Sequence, residues 1–153
     1  MEDKHINKWS NSYSVGINLI DEQHRELFSM INTFYEGCFQ RDEKSAREFF
    51  ERGIHNIVNY IKYHFSTEEK LLGFIDYPGL VGHKQQHAEY LKSIVSQTGP
   101  FETGTPSSFR PYVQYLRDKL FAHITSSDKE YGAFLQDLKK RTLHKKKLLQ
   151  KAE

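Results

Sequence analysis

The chain has 153 residues, 37% hydrophobic and 14% aromatic, which fits one domain with a real core. No apolar run reaches membrane-spanning length and no apolar stretch follows Met1, so neither a membrane span nor a secretory leader is expected. The single cysteine, Cys38, excludes an internal disulfide; it reads as a small buried hydrophobe in a reducing cytoplasm.

Residues 1–18 read as an irregular arm, with Trp9, Tyr13 and Val15 available to pack. The first helix is predicted from about Asp21, as N-cap, to Phe39. Its stripe is Ile20, His24, Leu27, Phe28, Ile31, Tyr35 and Cys38, stepping by three and four. Asp42 is placed to cap a second helix, about Glu43 to Leu72, with Phe50, Ile54, Ile57, Ile61, His64, Glu68 and Leu71 on one face. Gly73, Asp76 and Pro78 break the pattern. A third helix, about Pro78 to Gln97, carries Leu80, His83, His87, Leu91 and Ile94. Gly99 to Ser108 reads as a loop.

A fourth helix, about Ser108 to Ser126, carries Tyr112, Val113, Leu116, Leu120 and His123. Tyr131, Phe134, Leu135 and Leu138 predict a short fifth helix. Nothing reads as a strand. The expected fold is all-α: an antiparallel up-and-down four-helix bundle over residues 1–138, with an N-terminal arm and a short fifth helix, followed by a basic tail at 139–153.

Charge divides the chain. Residues 139–153 hold seven cations (Lys139, Lys140, Arg141, Lys145, Lys146, Lys147, Lys151) against Glu153. The rest has 15 basic and 19 acidic residues, a net of −4. The tail reads as a solvated, fraying helical end, with an acidic partner, a membrane surface or nucleic acid as alternatives. Cations and aromatics are not interleaved on one predicted face, so nucleic-acid binding is not expected.

Seven potential metal ligands lie on the apolar faces: His24, His64, Glu68, His83, His87, His123 and Asp128. Residues four apart share a helix face, so His64 with Glu68, and His83 with His87, can reach one centre. Burying five imidazoles and two carboxylates together is very costly without a positive charge among them. Seven ligands exceed one tetrahedral zinc and suit two ions. Carboxylates can bridge, which leaves one ion with three histidines and the other with two and an open position. Imidazole and carboxylate fit iron, zinc, manganese or copper, and ligand type does not choose. His123 and Asp128 are five apart, roughly 140° around an ideal helix. A π-type turn or a break at Ser126-Ser127 is therefore predicted between them. His5, His55 and His144 fall outside the pattern and read as surface residues. Glu69 is expected to face away or to support a ligand; Tyr131 to hydrogen-bond near the site or to pack in the core.

The pattern His24, His64-Phe-Ser-Thr-Glu68, His83-Lys-Gln-Gln-His87, His123-Ile-Thr-Ser-Ser-Asp128 resembles the hemerythrin family, its bacterial branch in particular. So do Trp9…Tyr13-Ser-Val-Gly-Ile…Ile20-Asp-Glu-Gln-His24 and Tyr77-Pro78. The resemblance covers residues 9 to about 135. It implies two non-haem Fe ions per chain, joined by an oxo or hydroxo bridge, and reversible O2 binding for storage, delivery or sensing, without enzymatic turnover. His83, His87 and His123 would hold the saturated iron, His24 and His64 the iron with the open site, and Glu68 and Asp128 would bridge. The chain would be a monomer or homo-oligomer. Two positions depart from the family: Lys119 stands where Trp is common, and Ser126 where a bulky aliphatic is frequent. They predict a wetter pocket whose oxygenated form decays quickly, unless Lys119 snorkels outward. They also keep open a peroxide- or nitric-oxide-reducing or Fe(II)-oxidising enzyme. A redox- or iron-sensing module acting through the tail is the third expectation.

Overall fold

A computed structural model describes residues 8–39, 42–98 and 106–152. Among these, five helices and no strand are present: α1 (Asn18–Phe39), α2 (Glu43–Phe74), α3 (Leu80–Thr98), α4 (Pro106–His123) and α5 (Lys129–Ala152). Residues 99–105 of the expected loop lie outside the described residues. Helix α1 packs on α2 and α4, and α2 packs on α3. His24 is near the start of α1, Glu68 near the end of α2, His83 near the start of α3 and His123 at the end of α4. All four meet at one end of the bundle, so successive helices run up and down.

The far end is apolar and aromatic. Phe50 stacks on Phe109 at 4.2 Å, and Phe34 lies 5.4 Å from Phe50. Tyr90 donates to Leu116 O at 3.0 Å and Tyr112 to Ile94 O at 3.3 Å, so these buried hydroxyls tie α3 to α4. Cys38 is buried and free of a disulfide.

Helix ends follow local chemistry. Asp42 caps α2 as expected, accepting from Ser45 N–H at 3.1 Å. At the other end, Tyr77 N–H bonds to Leu72 O at 2.9 Å and Asp76 N–H to Gly73 O at 3.3 Å, the pairing of a Schellman ending. Asp76 takes the left-handed conformation there, at φ 52°. Gly73, expected to break the helix, is still inside it. Leu72 is the fully buried residue near that end, where Leu71 had been expected.

Asp21 is not the N-cap of α1. The helix starts at Asn18, and the Asp21 carboxylate accepts from Val15 N–H at 2.8 Å and from Ser14 Oγ at 2.5 Å. Asp21 therefore pins the arm rather than the helix end. Gly16, at φ +81°, makes the turn between them. Lys129 Nζ donates to Ser14 O at 2.6 Å and fixes the same arm to α5. A Cβ on Gly132 would stand 2.8 Å from Val15 O and 3.3 Å from Val15 Cα. Gly132→Ala must displace backbone, and is expected to cost about 1–3 kcal/mol in denaturant unfolding.

The fifth helix is longer than expected. It continues without a break through the basic segment to Ala152, because residues 139–152 contain no Gly or Pro and are rich in Lys and Leu.

Candidate metal centre

Between α4 and α5 the backbone forms a π-type turn over Ile124–Asp128. The wider turn absorbs the five-residue spacing and brings both His123 and Asp128 inward, as the sequence requires. Asp128 Oδ1 lies 3.0 Å from His123 Nε2.

All seven predicted side chains converge. His24, His64, Glu68 and Asp128 have no exposed surface; His83 and His87 are buried as well. Five Nε2 atoms point at two carboxylates, and each carboxylate divides its oxygens. Glu68 Oε1 faces His24 (3.6 Å) and His64 (3.5 Å), while Oε2 faces His83 (3.5 Å) and His87 (3.2 Å). Asp128 Oδ2 faces His24 (3.2 Å), while Oδ1 faces His83 (3.3 Å) and His123. The ligand atoms thus form two groups, His83/His87/His123 and His24/His64, each completed by one oxygen from Glu68 and one from Asp128.

Hydrogen bonding does not account for this packing. His24 Nε2, His64 Nε2 and both Asp128 oxygens are buried without a hydrogen-bond partner, although His24 Nε2 and Asp128 Oδ2 are only 3.2 Å apart. Their lone pairs converge on common points rather than on one another. His87 Nε2 and His123 Nε2 are 3.1 Å apart. Two nitrogens held about 2.1 Å from one ion at a right angle would be about 3.0 Å apart. The donor set therefore fits two cations.

Without metal, the charges are unevenly shared. Burial opposes protonation of His24, but Asp128 and Glu68 raise its pKa to about 9. Burial lowers that of His64 to about 4. Burial also works against the charge on Glu68, yet His64, His24, His83 and His87 hold its carboxyl well below the usual range. Asp128 is lowered too: burial and the neighbouring Glu68 work against its charge, but the His123 and His24 rings beside its oxygens outweigh them. A proton on His24 takes the place of positive charge that a cation would bring.

The outer nitrogens of His64 and His87 are held by an orienting layer. His64 Nδ1 meets Gln23 Oε1 at 2.9 Å, and Gln23 Nε2 reaches Thr67 Oγ1 at 3.4 Å. His87 Nδ1 meets Glu69 Oε1 at 2.9 Å, so Glu69 supports a histidine rather than facing away. Phe65 stacks on the His87 ring at 3.6 Å. Tyr131 donates to Glu68 Oε1 at 2.5 Å. Burial, then the Glu68 and Asp128 charges, push its hydroxyl well above the ordinary phenol value, so it remains a donor. Gln23 was not singled out from the sequence; its nearness to a ligand on another helix leaves no local signal.

A sequence model of the hemerythrin HHE cation binding domain matches residues 15–135. The chain belongs to the hemerythrin family. It is 28% identical over 124 residues to a bacteriohemerythrin of Stenotrophomonas maltophilia, covering 81% of this chain and 78% of that one. It is 27% identical to a bacteriohemerythrin of Clostridium acetobutylicum (80% and 96% covered) and 26% identical to myohemerythrin-1 of Phascolopsis gouldii (80% and 89%). A crystal structure of a leucine-to-phenylalanine mutant shares the fold, with a TM-score of 0.71 at 19% identity over 84% of this chain and 95% of that one.

In this hemerythrin domain the two positions that depart from the family pattern are exposed. Lys119 is exposed, its ammonium 5.8 Å from the Tyr115 ring centroid. Ser126 is exposed and donates to Ala122 O at 2.6 Å. Leu120 and Ile124 are the buried residues of that segment. Lys119 therefore extends outward, the alternative to a wetter pocket that the sequence left open. Lys119→Ala and Ser126→Ala should leave metal content unchanged and shift unfolding free energy by less than about 0.5 kcal/mol. Metal analysis and chemical denaturation check both. His55 and His144 are exposed, as expected, and His55 pairs with Asn59 at 3.1 Å; His5 lies outside the described residues. No helix among the described residues is long and apolar enough to cross a membrane.

Proposed function

We propose that this domain holds two non-haem iron ions and binds O2 reversibly, in storage, delivery or sensing, without turnover. One observation carries the reading: Glu68 and Asp128 each turn one oxygen to a three-histidine group and the other to a two-histidine group. His83, His87 and His123 would hold one iron, His24 and His64 the other, and the carboxylates would span the pair. The two-histidine position has one protein ligand fewer and is where a small ligand would enter. Iron supplies the electrons that O2 binding shares.

The rest of the work falls to the chain's own residues. Gln23 and Glu69 fix the rings of His64 and His87, and the Tyr131 hydroxyl fixes Glu68. Trp9 covers the two-histidine side, with its ring 6.1 Å from that of His24 and 5.9 Å from Phe28. The arm that carries Trp9 is held by Asp21 and Lys129. Its placement excludes water from the side where a ligand enters. The buried Cys38, outside any disulfide, is in keeping with a reducing cytoplasm.

Oxygen uptake by the anaerobic Fe(II)-loaded protein tests the reading. One O2 taken up for every two irons, and released under vacuum, is the expected result. Continuous oxygen consumption with a reductant present would replace binding with turnover.

A further inference from the structure

Every residue of α5 from Gln136 to Ala152 is exposed, so no described residue buries this half of the helix. Most helices in proteins draw their stability from a packed face, which this half lacks. The face that enters the core does not stop where the bundle does. Tyr131, Leu135, Leu138, Thr142, Lys145 and Leu149 follow one another by steps of four and three. Tyr131 is fully buried, Leu138 is 37% exposed and Leu149 61%. Leu143 and Leu148, each 55% exposed, add apolar surface. Lys140, Lys147 and Lys151 lie on the opposite face, Lys139, Arg141 and Lys146 flank the stripe, and Lys145 lies on it. Among residues 136–152 the one acid is Asp137, paired with Arg141 at 2.9 Å.

We propose that the C-terminal half of α5 docks this protein on an anionic phospholipid surface. Helices with clustered Lys and Arg and an apolar side bind such membranes by both features at once. The cations meet the headgroups, the leucines enter the acyl boundary, and lysine stems on the apolar side extend back to water. Charge decides against a second copy of the chain, because Lys145 lies on the seam and seven cations on each helix would repel. A nucleic acid would use the cations but not the leucines, and residues 139–152 carry no Phe, Tyr or Trp to stack on bases. The proposal does not depend on the metal centre.

Co-sedimentation of the full chain with vesicles tests it, comparing phosphatidylcholine alone with a phosphatidylcholine–phosphatidylglycerol mixture. The protein is expected to pellet with the anionic vesicles only, and less so as salt rises. A Lys145→Glu/Lys146→Glu/Lys147→Glu variant should lower partitioning by at least about 100-fold. Leu148→Ser/Leu149→Ser should lower it by about 10-fold or more. These positions are exposed, and far-UV circular dichroism would verify that both variants keep the bundle. No pelleting with anionic vesicles at low salt would overturn the proposal. So would undiminished binding by the serine variant, or tighter binding to duplex DNA at the same salt concentration.

Discussion

Glu68→Ala is expected to lose metal from both positions, whereas His24→Ala keeps one ion per chain. Glu68 Oε1 serves the His24/His64 group and Oε2 the His83/His87/His123 group, so one substitution removes a ligand from each. His24 belongs to the two-histidine group, and its loss leaves the three-histidine group with both carboxylate oxygens. Losing an outer hydrogen-bond partner alone costs about 10–100-fold in metal affinity, and a ligand shared by two ions should cost more than about 100-fold at each. Glu68→Ala also strands the buried Tyr131 hydroxyl. Tyr131→Phe separates the two effects, because it removes the hydrogen bond and leaves all seven ligands. Metal analysis of the purified variants decides the matter; full metal content in Glu68→Ala would end the bridging assignment.

The second large effect is on stability. Removing the metal leaves His24 Nε2, His64 Nε2 and both Asp128 oxygens buried without hydrogen-bond partners. Each such group costs about 1–3 kcal/mol when left unsatisfied. An ion present at a thousand times its dissociation constant stabilises by about 4 kcal/mol. At about 2–4 °C per kcal/mol for a domain this size, Fe(II) should raise Tm by at least about 8–16 °C over the chelated protein. A shift below about 2 °C would show that folding does not depend on the ions.

The metal-free protein should also have a stability optimum in pH. His24 is raised from 6.5 to about 9, so its contribution is complete below pH 6.5 and lost as pH rises towards 9. His64 is lowered from 6.5 to about 4 and is buried neutral, so stability falls as pH drops from 6.5 towards 4. The two slopes meet near pH 6.5, and denaturation of the chelated protein across this range would reveal them.

Periodicity and capping carried most of this architecture in the sequence, because they are local. Stripes stepping by three and four marked the helices, Asp42 marked the start of α2, and the five-residue gap from His123 to Asp128 demanded the π-type turn that is present. What escaped was non-local. Asp21 looked like a cap because it precedes an apolar stripe, but its partners lie in the arm folded back on α1. Gln23 supports His64 across 41 residues, a relation no spacing rule contains. Lys119 lies one turn from His123 in sequence, and which way its side chain turns depended on Leu120 and Ile124 filling the interior. The length of α5 was underestimated because its outer half has no core to pack on, leaving helix propensity as the one signal.

Reversible oxygen binding at a paired iron centre is tested most directly by optical spectra of the Fe(II)-loaded protein, recorded before O2, under O2 and after O2 is removed. A visible charge-transfer band should appear with O2 and vanish when it is withdrawn, restoring the first spectrum through repeated cycles. One-way conversion to a ferric spectrum on the first exposure would contradict it.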